Sequence, residues 1–150
     1  MNEIHEVYLK RCVELSKQAV EHGNHPFGAL LVHDGEIVME AENTVNSEVD
    51  ITGHAELNLV RRAVHELGEE VVRECTLYTS TEPCAMCSGA IYWAGIPRVV
   101  FACSAKRLGE IAGGSLLFPC REVFSHGVRK VEVSGPILED VAAEEHKRYW

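Results

Sequence analysis

His54 and Glu56 stand two places apart in GHAELNLVRR (53–62), and Cys84 and Cys87 three places apart in STEPCAMCSG (80–89). Thiolate and imidazole are the donors that zinc prefers. A Cys-x-x-Cys pair on a helix turns both sulfurs to one face, because residues i and i+3 are neighbours there. In a first turn, unpaired N–H groups and the helix dipole favour negative charge and lower the thiol pKa. A catalytic zinc takes three protein donors and leaves a fourth place to water. His54, also at the start of a helix, is the third candidate ligand beside Cys84 and Cys87. Two thiolates and a neutral imidazole balance Zn²⁺, and water on such an ion has a pKa of about 7. Glu56 then remains as an unligated carboxylate that can take the proton of that water and hand it to a leaving group. The bland alternative is a structural zinc closed by four protein donors, with Cys75 or Cys103 as the fourth.

The elements that must position these groups are readable from periodicity. Ile4, Tyr8, Cys12, Leu15 and Ala19 form an apolar stripe that predicts a helix over 3–22, stopped by GNHP. FGALLVHDGEIVMEAEN reads as a hairpin turning at Asp34-Gly35, a pair suited to positive φ. Residues 44–53 are polar and read as a loop, and a second helix is expected from His54 to Leu67, ending at Gly68. CTLYTS (75–80) reads as a strand, and Pro83 suits the first position of a helix running from Cys84 to Ala94. RVVFAC (98–103) is the next strand, so strand, helix and strand form a right-handed parallel crossover. Residues 104–127 look less regular, with REVF as one helical turn, before a last strand at KVEV and a final helix in ILEDVAAEEHKRYW. The expectation is a single α/β domain over 1–150, with helices packed on a central sheet.

Bulk properties narrow the function. With 46 % hydrophobic and 25 % charged residues the chain has the composition of a soluble globular protein, and no apolar run reaches the roughly 20 residues of a spanning helix. MNEIHEVYLK does not read as a secretory signal, so a cytoplasmic protein is expected. Asp and Glu outnumber Lys and Arg by 23 to 14, which argues against a nucleic-acid binder and for a small uncharged substrate. Of six cysteines only Cys84 and Cys87 are close enough in sequence to share an ion, and the other four read as buried small hydrophobes of a reduced protein.

Taken together, His54-Ala55-Glu56 and Pro83-Cys84-Ala85-Met86-Cys87 resemble the H-x-E…P-C-x-x-C signature of zinc nucleobase deaminases. PFGALLV (26–32), LYTSTEPCAMCSGAIYWA (77–94) and RVVF (98–101) extend the resemblance to the cytidine/deoxycytidylate deaminase superfamily, nearest to bacterial guanine deaminase-like nucleobase and nucleoside deaminases. That resemblance implies a three-layer α/β/α fold, with a five-stranded mixed sheet flanked by helices, and a homodimer. It implies a Zn²⁺ cofactor held by His54, Cys84 and Cys87, Glu56 as proton shuttle, and hydrolytic release of ammonia from an aminated ring. It also implies that Asn43 and the Ala55 N–H bond the base, and that Phe27 and Trp93 line the pocket. A turn-forming Asn43 and core-packed Phe27 and Trp93 are the structural alternatives. Where guanine deaminases carry an acidic residue this chain has SAKRLGEIAGGSLL (104–117), with Glu110 as the candidate, while GGSLL and GPILED resemble tRNA adenosine deaminases. The expected substrate is therefore a free base or small nucleoside, such as guanine, cytosine or isocytosine, with tRNA adenosine as the alternative. A non-catalytic zinc module would leave Glu56 without a task. The ending HKRYW reads as a docked tail, with Tyr149 and Trp150 either patching a surface or closing over a bound base.

Overall fold

Strand β1 (Gly28–His33) is buried on both faces over its first five residues, so it belongs inside a sheet. The computed structural model describes residues 2–150. β1 turns through Asp34 and Gly35, both at positive φ (50° and 77°), into β2 (Glu36–Glu42). β3 (Thr76–Thr81) pairs antiparallel with the other side of β1, and β4 (Arg98–Cys103) and β5 (Glu132–Ser134) follow in parallel. The order β2-β1-β3-β4-β5 is the expected five-stranded mixed sheet.

Because side chains alternate across a strand, the sheet feeds two cores. Ala29, Leu31, Leu77, Val99 and Phe101 face α3 (Ala55–Leu67) and α5 (Ala85–Ala94). Leu30, Val32, Tyr78, Val100 and Ala102 face α1 (Asn2–Glu21) and α8 (Glu139–Tyr149). The result is three layers, α/β/α. α1 lies so close to β1 that a Cβ on Gly28 would stand 2.5 Å from both the Cys12 carbonyl oxygen and the Leu15 Cβ. No helix among the described residues is long and apolar enough to cross a membrane.

Three short helices depart from the sequence reading. α2 (Val45–Glu48) forms inside the expected loop because Asn24, some twenty residues away, accepts the N–H groups of Asn46 and Ser47. α4 (Glu69–Val72) adds a turn after Gly68. α6 (Ala105–Ala112) occupies the stretch read as irregular, capped by Ser104 Oγ accepting from Arg107 N–H and packing Leu108 and Ile111 inward. Gly109 hid that helix, since glycine disfavours helix interiors. α7 (Cys120–Ser125) matches the single turn expected at REVF. Pro83 precedes the Cys84 N-cap rather than opening α5, so Cys84 lies just outside the helix.

Candidate active site

One edge of the sheet gathers the functional residues. β1 runs antiparallel to both β2 and β3, so the start of β1 and the ends of β2 and β3 meet there. Phe27 precedes β1, Asn43 follows β2, and Cys84 follows β3, with Asn43 N–H donating to the Phe27 carbonyl at 3.1 Å. Helices α3 and α5 then leave this edge side by side, packed over the same core.

His54 is the N-cap residue of α3 and Cys84 the N-cap residue of α5. Both have extended backbones and neither side chain caps its helix. Instead they meet: His54 Nδ1 lies 3.5 Å from Cys84 Sγ and 3.6 Å from Cys87 Sγ. Bonds of about 2.3 Å to sulfur and about 2.05 Å to nitrogen at a tetrahedral angle separate those donors by about 3.6 Å. The three residues therefore fit Zn²⁺ as they stand. Among the described residues no fourth His, Cys, Asp or Glu joins this group. Cys75 and Cys103 are buried elsewhere, their sulfurs directed to the Val71 and Ser104 carbonyls, which removes the closed four-donor alternative.

The electrostatics are those of a metal site. Cys84 is pulled down to about 4, first by the Cys87 thiol donating to it and then by His54. Cys87 is pushed up in turn, first by serving as that donor and then by burial. Without metal the pair thus shares one proton, rather than resting as two thiolates. The hydrogen bond with Cys84 raises His54. Glu56, 4 % exposed in the first turn of α3, is raised to about 7 by burial and then by the Cys84 charge.

A cavity of about 140 Å³ adjoins the donors and is lined by Phe27, His54, Glu56, Glu82, Cys84 and Leu108. It shares Phe27, His54 and Leu108 with a wider one of about 460 Å³, which is also walled by His25, Asn43 and Trp150. Glu56 and Phe27 thus both line the inner cavity. Ala55 is the first residue of α3, whose N–H has no partner within the helix. Asn43 is both things at once: it lines the outer cavity, and its Oδ1 accepts the Val45 N–H at 3.0 Å in a turn.

Trp93 is the exception. It lies six residues beyond Cys87 on α5, about 240° around a helix, and is 84 % exposed, lining neither cavity. Glu110 is exposed and faces a separate cavity beside Lys106.

Three lining residues escaped the sequence reading. Glu82 reaches the inner cavity while its carboxylate accepts the Ala105 N–H at 2.9 Å and the Cys120 N–H at 2.8 Å, tying α6 and α7 to the metal edge. Its place before Pro83 was the available signal. Leu108 comes from α6, and the i, i+3 spacing of Leu108 and Ile111 could have revealed it. His25 carries the one buried side-chain nitrogen, Nδ1, with no hydrogen-bond partner among the described residues, and nothing local marked it.

Comparison with known proteins gives a consistent family. The profile described as "Cytidine and deoxycytidylate deaminase zinc-binding region" matches residues 2–103. A probable cytosine deaminase of Schizosaccharomyces pombe is 39 % identical over 152 residues, covering 95 % of this chain and 90 % of that protein. A guanine deaminase of Bacillus subtilis is 49 % identical over 120 residues, covering 79 % of this chain and 76 % of that protein. A solved structure from a study of A-to-I editing by tRNA:A34 deaminases superposes with a TM-score of 0.78 at 29 % identity, covering 93 % of this chain and 99 % of that one.

Proposed function

This chain belongs to the cytidine and deoxycytidylate deaminase family of zinc-dependent hydrolytic deaminases, and from that premise we propose that its substrate is a free nucleobase or small nucleoside. The observation that carries this reading is the lining of the two cavities. No Lys or Arg stands in either wall, and the outer one is mostly apolar. A phosphate there would lose its hydration with no cation to replace it, whereas a flat neutral ring suits aromatic and aliphatic walls.

When bound by His54, Cys84 and Cys87, Zn²⁺ supplies the Lewis acidity that brings a water's pKa to about 7. The chain's own residues do the rest. A Glu56 carboxylate oxygen receives one proton of the attacking water and delivers it to the ring nitrogen; it then takes the second proton from the hydroxyl now on the ring carbon and gives it to the amino nitrogen, so that the C–N bond breaks, the carbonyl forms and ammonia leaves. Burial that raises Glu56 towards neutrality suits a group that must both accept and give. The Ala55 N–H and the Asn43 amide orient polar edges of the base. Phe27 and Trp150 stack on it and exclude water.

The tRNA-acting relative and the GGSLL stretch support a second reading, deamination of a tRNA adenosine. Ammonia release from guanine, cytosine, isocytosine, nucleosides and a tRNA stem-loop, each at low and high salt, separates them. The base reading expects turnover of a base with a KM nearly independent of salt. Turnover of the stem-loop alone, with affinity falling steeply as salt rises, rejects it. Two further parts of the proposal are a cytoplasmic location, where a reducing milieu keeps the paired cysteines available to zinc, and a homodimer. The exposed Met86 and Trp93 on α5 offer that dimer an apolar face.

A further inference from the structure

Trp150 ends the described chain as one wall of the outer cavity, and its position is fixed from two sides. Its ring stacks on His25 at 5.2 Å between centroids and 18° between planes. Its Nε1 lies 3.0 Å from His146 Nδ1, one helical turn back on α8. His146 is 1 % exposed, sits against Phe27 at 5.2 Å, and its Nε2 lies 2.7 Å from the hydroxyl of Thr81 at the end of β3.

The hydrogens in this chain of contacts can be assigned from chemistry. An indole nitrogen only donates, so His146 Nδ1 must be bare and accept. Burial keeps the ring neutral, so its single proton rests on Nε2 and is donated to Thr81 Oγ1. No charged group disturbs this arrangement. Glu145 turns to Lys17 of α1 and to Arg148, Arg107 of α6 pairs with Asp140, and Glu139 accepts the Ser104 N–H. From β3 comes the Thr81 hydroxyl, and from β4 the Cys103 thiol in register with it.

We propose that His146 is a positioning residue: in its Nε2–H tautomer it couples the Trp150 indole to the end of β3, and so holds the aromatic wall of the substrate cavity in place. The effect on turnover rests on the reading of the cavity given above, but the tautomer and the restraint on Trp150 do not. His146 touches no reacting atom. It acts through Trp150, on the strand whose continuation carries Cys84.

The test uses the zinc-loaded protein. Nitrogen-15 spectra of labelled histidine report the tautomer directly, and a bare Nδ1 with a protonated Nε2 is expected for His146. In a Trp93→Phe background Trp150 is the remaining tryptophan, and its emission reads its environment. His146→Phe keeps a flat aromatic ring but cannot accept. It should shift the emission to the red and raise acrylamide quenching, and it should raise KM about five- to ten-fold, the worth of one net hydrogen bond, with kcat little changed. Trp150→Phe deletes the donor, so adding His146→Phe to it should leave KM where the single Trp150→Phe variant puts it. A proton on Nδ1 in the native protein, unchanged quenching in His146→Phe, or additive effects on KM would overturn the assignment. Loss of every base as substrate, with tautomer and quenching as expected, would reject the substrate reading while upholding the role of His146.

Discussion

His54 and Cys84 hold the same place in two different helices, the N-cap, and their donor atoms meet at 3.5 Å. An N-cap side chain ordinarily satisfies its own helix, at a stability gain of about 1 kcal/mol. Both residues forgo that role. The positive ends of α3 and α5 then converge on one point, where thiolate charge is favoured and donors are held by rigid elements rather than by loops.

Glu56→Ala should keep zinc and abolish ammonia release. None of the three donor atoms belongs to Glu56, and general acid–base groups contribute about 10²- to 10⁴-fold. Metal content by atomic absorption alongside a turnover assay decides it. Near-native turnover would mean that another group moves the proton.

Zinc binding should release protons, chiefly the one that Cys84 and Cys87 share, and affinity should fall as pH falls. Calorimetry in buffers of different ionisation enthalpy counts those protons. Cys87→Ser should lose the metal. A Cys87→Ser protein that retained a full zinc equivalent would show that another donor completes the site.

Glu82→Ala should leave the Ala105 and Cys120 N–H groups without their acceptor. An unpaired buried donor costs about 1–3 kcal/mol, so melting should fall by roughly 2–12 °C for a domain of this size. Zinc should be retained, and KM should rise because α6 carries Leu108 into the cavity wall. A variant with native melting and native KM would show that α6 is placed by other contacts.

His146 gives stability an acid limb. Its pKa is lowered from 6.5 to about 4 by burial. The folded state therefore binds its proton less readily than the unfolded chain does. This contribution is whole above pH 6.5, shrinks as pH falls towards 4, and amounts to about 3 kcal/mol at most. Urea melts of the wild type and His146→Phe across that window should converge at low pH. A constant difference between them would show that burial of His146 carries no such penalty.

The amino-acid sequence alone marked the candidate metal donors, the carboxylate proposed as proton shuttle and the succession of the main strands. Those depend on residue type and on spacings of two to four places, which local helix and strand geometry converts into direction. His54, Glu56, Cys84 and Cys87 could be read because each sits at a helix start marked by local signals. The walls of the cavity could not be read that way. Glu82, Leu108 and His25 come from three separate segments, and packing chose which of their faces meets the site. Trp93 belongs to the same short helix as Cys87, yet rotation about the helix axis turns it to the outside. α2 exists because Asn24 reaches it across the fold, and Trp150 is held because His146 presents a bare nitrogen one turn away. Chemistry confined to one turn of chain is written in the sequence. Shape made by side chains from distant segments is decided only when the three layers close on each other.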